Sequence, residues 1–226
     1  MDRGVKILSQ SPVWKKKIVV SGHDGAGKTE LRSALLKLIK DRYGGEECIS
    51  VDEDAYQVSL RITWKEGETA KKIDIWEDTE NSYSRLKPLI YPYANIVLIC
   101  LPLDLVRQDP EAGFEIALNR IETARHFTKD DDTYTSLFLV GCRSDLLLQQ
   151  QSEPARDGGT SVSFIKRYDV RKEARRFTAR HWLDGYLECS AVTGEGVSDV
   201  FDIILKDLVD QKRRNLHSQK TSCIIT

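Results

Sequence analysis

The chain has 226 residues, with 34 Lys and Arg against 35 Asp and Glu, for a formal net charge of −1 at pH 7. A chain of this length buries about 70% of its unfolded surface, so it folds without disulfides or a structural metal. The balanced charge excludes a protein whose main business is coating nucleic acid, so no nucleic-acid partner is expected.

In chain order, the apolar KIVVS segment (17–21) predicts a strand, and a helical pattern follows from Lys28 to about Lys40. VSLRITW (58–64) and KKIDIW (71–76) flank a KEGET turn and predict an antiparallel hairpin. NIVLICL (95–101) and SLFLVG (136–141) are near-continuous apolar runs, as expected of strands covered on both faces. Helices are predicted near 110–128, 168–180 and 197–213, with YLECS (186–190) as the last strand. The order is α/β. One domain spans 14–212, with an exposed Gln/Pro/Gly/Ser-rich insertion at about 147–166 and tails at 1–13 and 213–226.

Cys48, Cys100, Cys142, Cys189 and Cys223 include no C-x-x-C pair, which fits a reducing cytosol better than a zinc site or a secreted disulfide framework. Cys100 and Cys189 read as small core residues, and Trp64 and Trp76 as packing strand residues. The four histidines, His23, His126, His181 and His217, show no ligand spacing. No apolar run approaches the ~20 residues of a spanning helix, and the first residues lack a secretory signal.

The strongest local signal is GHDGAGKT, comprising Gly22, His23, Asp24, Gly25, Ala26, Gly27, Lys28 and Thr29, between an apolar strand and a helix. Its glycines let backbone N–H groups point at phosphate oxygens, and the helix start adds the positive end of its dipole. Lys28 suits the β and γ phosphates, and the Thr29 hydroxyl suits Mg²⁺. Kinases and ATPases share such a cradle, so the base must be read elsewhere. Asp145, after the strand at 136–140, can accept from the N1–H and N2–H₂ donors of guanine, a pair that adenine does not offer. Such a charge-assisted contact is worth about 1.5–3 kcal/mol, enough to favour GTP over ATP at least tenfold.

KIVVSGHDGAGKTEL, IDIWEDTENSYSRLKPLIYPYANIVLICLPLD, LVGCRSDLL and YLECSAVTGEGVSDVFD resemble, in order and spacing, the Ras superfamily of small GTP-binding proteins. YSRLKPLIYP followed by NIVLIC is similar to the Rho branch. The resemblance covers about residues 14–212. It implies a P-loop G domain with a six-stranded, mostly parallel sheet and helices on both faces, binding GTP or GDP with Mg²⁺. By matching positions, it assigns residues 22–29 to the phosphates, Arg143 and Asp145 to the base, and Ser190 and Ala191 to the guanine O6 edge. It also implies effector and regulatory partners, among them an exchange factor and a GDP-dissociation inhibitor.

The chain departs from that pattern at four places. Cys142-Arg143-Ser144-Asp145 replaces Asn-Lys-x-Asp, which removes an Asn tying the base loop to the phosphate loop and predicts weaker guanine affinity. In IWEDTENSYSR, either Glu77 takes the Mg²⁺-side Asp position, or Asp78 and Thr79 keep it after a one-residue slip; Asp78 is paired with Thr29 as the metal set. Both registers lack the Gly that bonds the γ-phosphate and the Gln that orients water, and Glu80 or Asn81 does not replace it, so hydrolysis is expected to be slow. Asp24 crowds the space for an arginine supplied in trans. Val51, with Ser50 beside it, stands where a Thr would report the γ-phosphate, and Val cannot ligate Mg²⁺. Together these features predict a weakly hydrolysing or constitutively loaded GTPase, the alternative being a G-domain-shaped interaction module whose nucleotide is structural or absent.

The chain ends Cys223-Ile-Ile-Thr, with Lys212, Arg213, Arg214 and Lys220 upstream. This form predicts a prenyl group on Cys223 that, with the nearby cations, gives reversible binding to the cytoplasmic side of a membrane beside a cytosolic pool.

Overall fold

The computed structural model describes residues 14–43, 49–54, 57–66, 69–78, 87–128, 134–149 and 169–222. Seven strands, β1 (Trp14–Gly22), β2 (Ile49–Asp54), β3 (Gln57–Glu66), β4 (Thr69–Glu77), β5 (Ile96–Pro102), β6 (Ser136–Cys142) and β7 (Gly185–Glu188), form one sheet. Its order is β2-β3-β4-β1-β5-β6-β7. The β4–β1, β1–β5, β5–β6 and β6–β7 pairs are parallel, while β2–β3 and β3–β4 pair antiparallel. The helices are α1 (Lys28–Tyr43), α2 (Lys87–Ile90), α3 (Leu103–Gln108), α4 (Pro110–Phe127), α5 (Ser144–Gln149), α6 (Val170–Arg180) and α7 (Val197–Ser222).

The α/β architecture and the 66–69 hairpin follow the expectation. The strand count does not: β2 adds a seventh strand to the six expected. Ile49 and Val51 alternate with polar residues, a period-two pattern that suits an edge strand, and Val51 pairs with Leu60 of β3. The expected last helix ended near 213, yet α7 continues to Ser222. The sequence 213–222 contains neither Gly nor Pro, so nothing in it stops the helix. Of the insertion expected at about 147–166, residues 147–149 belong to helix α5, and the rest lies outside the described residues.

The apolar runs divide between two faces because successive strand side chains point oppositely. On one face Ile18, Val20, Leu98 and Val140 pack with Leu31, Leu35 and Ile39 of α1 and Val200, Phe201, Ile204 and Leu208 of α7. On the other, Val19, Ile99 and Leu139 meet Ile121 and Ala124 of α4 and Ala174 and Phe177 of α6. The i, i+4, i+8 spacing of Leu31, Leu35 and Ile39 places all three on one stripe, each burial contributing about 1.5–3 kcal/mol. Helix α4 starts at Pro110, where Asp109 Oδ1 accepts from Ala112 N at 3.0 Å; Asp169 Oδ1 caps α6 from Lys172 N at 3.1 Å. The C-terminal ends of the parallel strands therefore share one edge, where loops of open α/β sheets bind ligands.

Candidate functional site

Strand β1 runs into the loop 22–28 and from there into α1. Two glycines of the loop have no substitute. A Cβ on Gly22 would lie 2.9 Å from the Cys100 carbonyl oxygen, and Gly27 has φ +88° with Cys142 Cβ 3.4 Å from where its own Cβ would stand. Ala26 N closes the turn on the His23 carbonyl at 3.1 Å. The buried Lys28 ammonium donates to the carbonyls of Gly22 at 3.0 Å and His23 at 2.8 Å, and lies 3.6 Å from Asp24. These contacts hold the cation at the mouth of the loop. Exposed Asp24 is a local competitor for it, an effect absent from the steric argument made on sequence.

Glu77 ends β4 and Asp78 follows it, with opposite fates. Thr29 Oγ1 donates to Glu77 Oε1 at 2.8 Å, and Arg32 Nε stands 3.6 Å from Glu77 Oε2. Asp78 is fully buried elsewhere: its Oδ2 accepts from Ser21 Oγ at 3.2 Å and from the Tyr91 hydroxyl, with Arg120 Nη1 at 3.6 Å. Burial beside the Asp78 carboxylate pushes the Tyr91 phenol well above its usual range. The expected Thr29–Asp78 pair is thus replaced by Thr29–Glu77, because strand alternation turns these consecutive side chains to opposite sides.

Across the edge, Gly25, Gly27, Glu30, Leu31, Cys142, Arg143, Asp145, Cys189, Ala191 and Val192 enclose a cavity of about 330 Å³. Asp145, in the first turn of α5, lines it without a hydrogen-bond or ion-pair partner among the described residues. Arg143 holds a left-handed backbone (φ +62°), which costs about 1–2 kcal/mol in a non-glycine residue. Its guanidinium reaches Asp104 at 3.1 Å and the Gly25 carbonyl at 3.4 Å, joining the β6 loop to the phosphate loop. That link restores part of what the missing Asn would provide. Ser190 is buried and structural: its Oγ accepts from Thr193 N at 3.2 Å and its N–H donates to Glu195 at 2.9 Å, shaping the turn that presents Ala191.

Sequence reasoning missed Glu30, Asp104, Arg32 and the two cavity cysteines. Asp104 had a signal, since it follows a parallel strand end. Arg32 had a weaker one, lying three residues after Thr29 on the same helix face. Thr79, Glu80, Asn81 and Cys223 lie outside the described residues. Among the described residues no His, Cys, Asp or Glu group of three is placed to hold a metal, and no helix is long and apolar enough to cross a membrane.

The loop, the strand-end carboxylate and the cavity at the sheet edge define a P-loop G domain, and the chain matches the Ras family over residues 17–210. The chain belongs to that family. Within the superfamily it is Rho-like: it is 28% identical over 221 residues to the GTP-binding protein RHO1 of Candida albicans, covering 93% of this chain and 96% of that protein.

Proposed function

We propose that this chain is a small GTP-binding protein that holds GTP or GDP in the cavity between the phosphate loop and the 143–145 and 190–191 loops, and hydrolyses GTP slowly. One observation carries the reading: Asp145, without a partner among the described residues, shares a cavity with Gly25 and Gly27 of the phosphate loop. Asp145 is only half-buried, so its carboxylate stays open to a ligand in the cavity, and guanine has two donors to offer it.

Mg²⁺ fits the Thr29–Glu77 pair by donor chemistry. Both supply oxygen, and Glu77 Oε2 is buried without a hydrogen-bond partner among the described residues, while Mg²⁺ characteristically takes few protein ligands beside phosphates and water. When bound, the ion would offset charge on the β and γ phosphates. Arg32, 3.6 Å from Glu77, competes with it and lowers metal affinity. Lys28, oriented by the Gly22 and His23 carbonyls, binds the phosphates; Arg143 lies along the base, and Ala191 meets the O6 edge. With neither the water-orienting Gln nor the γ-phosphate Gly in 79–86, positioning of the attacking water is poor and turnover slow.

The non-catalytic alternative keeps one argument: Asp24 and two loop carbonyls already surround Lys28. Identification of the copurifying nucleotide, followed by loading and single-turnover hydrolysis, separates the two. Bound GTP or GDP with slow turnover supports the proposal; an empty protein whose melting temperature ignores GTP and Mg²⁺ refutes it. We place the loaded protein at the cytoplasmic face of a membrane through a prenyl group on Cys223, where it meets effectors, an exchange factor and a GDP-dissociation inhibitor. Cys223→Ser should move it to the soluble fraction, and retention on membranes would refute lipidation there.

A further inference from the structure

Three buried thiols, Cys100, Cys142 and Cys189, lie on one face of the sheet at the ends of the adjacent strands β5, β6 and β7. Two of them, Cys142 and Cys189, line the nucleotide cavity. Nothing in the proposed nucleotide chemistry uses a thiol. We propose that Cys142 and Cys189 form a redox-responsive dithiol in the cavity floor, closed to an intramolecular disulfide by hydrogen peroxide.

Strand register selects this pair. Gly141 pairs with Glu188, and Cys189 N donates to the Gly141 carbonyl at 2.9 Å, so Cys142 and Cys189 are the next lateral neighbours on parallel strands. Lateral neighbours have Cα atoms about 4.8 Å apart and side chains on the same face, within the ~4.4–6.8 Å that a disulfide spans. Cys100 pairs instead with Val140, two residues before Cys142. That diagonal combines ~4.8 Å across with ~6.6 Å along the strand, about 8 Å in all, beyond disulfide reach. The Cys142 thiol donates to the Val140 carbonyl at 3.6 Å; its neighbours Cys100 and Cys189 and its burial hold it protonated, whereas Cys142 beside Cys189 favours the thiolate there.

The Cys189 thiolate attacks one peroxide oxygen, forming S–O as O–O breaks; the released hydroxide takes a proton and leaves as water. Cys142 sulfur then attacks the sulfenic sulfur, S–S forms as S–O breaks, and the second hydroxide leaves as water with the Cys142 proton. The two thiols lose two electrons, and one peroxide becomes two waters. The bond ties the residue preceding Arg143 to the residue preceding Ser190, so it fixes the two base-reading loops to each other. In this part the inference rests on the nucleotide reading: a bound base covers the thiols and protects them.

The test treats full-length protein with hydrogen peroxide, stripped of nucleotide or with GTP and Mg²⁺, and maps disulfides in non-reduced digests. A Cys142–Cys189 cross-linked peptide is expected, absent in Cys142→Ser and in Cys189→Ser and retained in Cys100→Ser. Free GTP at about ten times its Kd should slow its formation about tenfold. A Cys100–Cys142 link, or sulfinic acid on either cavity cysteine without a disulfide, overturns the proposal. The wild-type digest decides this even if a variant fails to fold. Disulfide formation indifferent to GTP supports the dithiol and counts against the nucleotide reading instead.

Discussion

Replacing Asp78 by Ala separates a structural carboxylate from a metal ligand. Its Oδ2 alone holds the Ser21 hydroxyl, the Tyr91 hydroxyl and the Arg120 guanidinium, while Oδ1 has no partner among the described residues. Removing one member of a buried ion pair costs about 3–5 kcal/mol. The Arg120 contact is long, at 3.6 Å, which puts Asp78→Ala at the low end, about 3 kcal/mol. Asp78→Asn keeps an acceptor for Tyr91 but loses the charge, and should cost about 1.5 kcal/mol. Urea unfolding read as a shift in midpoint at constant slope measures both. Glu77→Ala leaves the Asp78 contacts intact and should instead abolish the slowing of nucleotide release by Mg²⁺. An Asp78→Ala protein within about 0.5 kcal/mol of the parent, with Mg²⁺ dependence gone, would refute this reasoning and return the metal to Asp78.

Lys28→Ala should weaken GTP retention at least ~100-fold, since it removes a buried cation held at the mouth of the loop; filter-binding dissociation rates check this. Unchanged retention would remove the cradle from the account. Asp145→Asn should lower GTP preference about tenfold and raise affinity for xanthosine triphosphate, whose exocyclic oxygen replaces the guanine amine, as competition binding would report. Identical preferences before and after would place Asp145 away from the base. Burial, with Arg125 and Arg180 nearby, lowers the His181 pKa below its ordinary 6.5. The unfolded chain therefore binds more protons there, and stability contributed at neutral pH is lost as pH falls below ~6.5 toward the folded-state value. Thermal melts at neutral and mildly acidic pH should show a smaller acid loss in His181→Gln than in the parent. An equal loss in both would assign the pH dependence to other groups.

The phosphate loop was legible because its chemistry is local: eight consecutive residues carry the glycines, the cation and the hydroxyl, and their flanking strand and helix are written in the apolar pattern. Asp145 was legible because it follows a parallel strand, and such strand ends meet at one edge; Ala191 came from the resemblance alone. Strand β2 was not, because pairing at an edge depends on the neighbour β3 and not on the segment alone. Which of Glu77 and Asp78 meets Thr29 turned on the side of the sheet that each side chain leaves, a one-residue phase that only the packed sheet determines. Asp24 beside Lys28, Arg143 bridging to Asp104, and Cys142 beside Cys189 join residues separated by as few as four positions or as many as forty-seven. Local spacing specified the cradle, whereas register and crossover connections decided which distant groups face it.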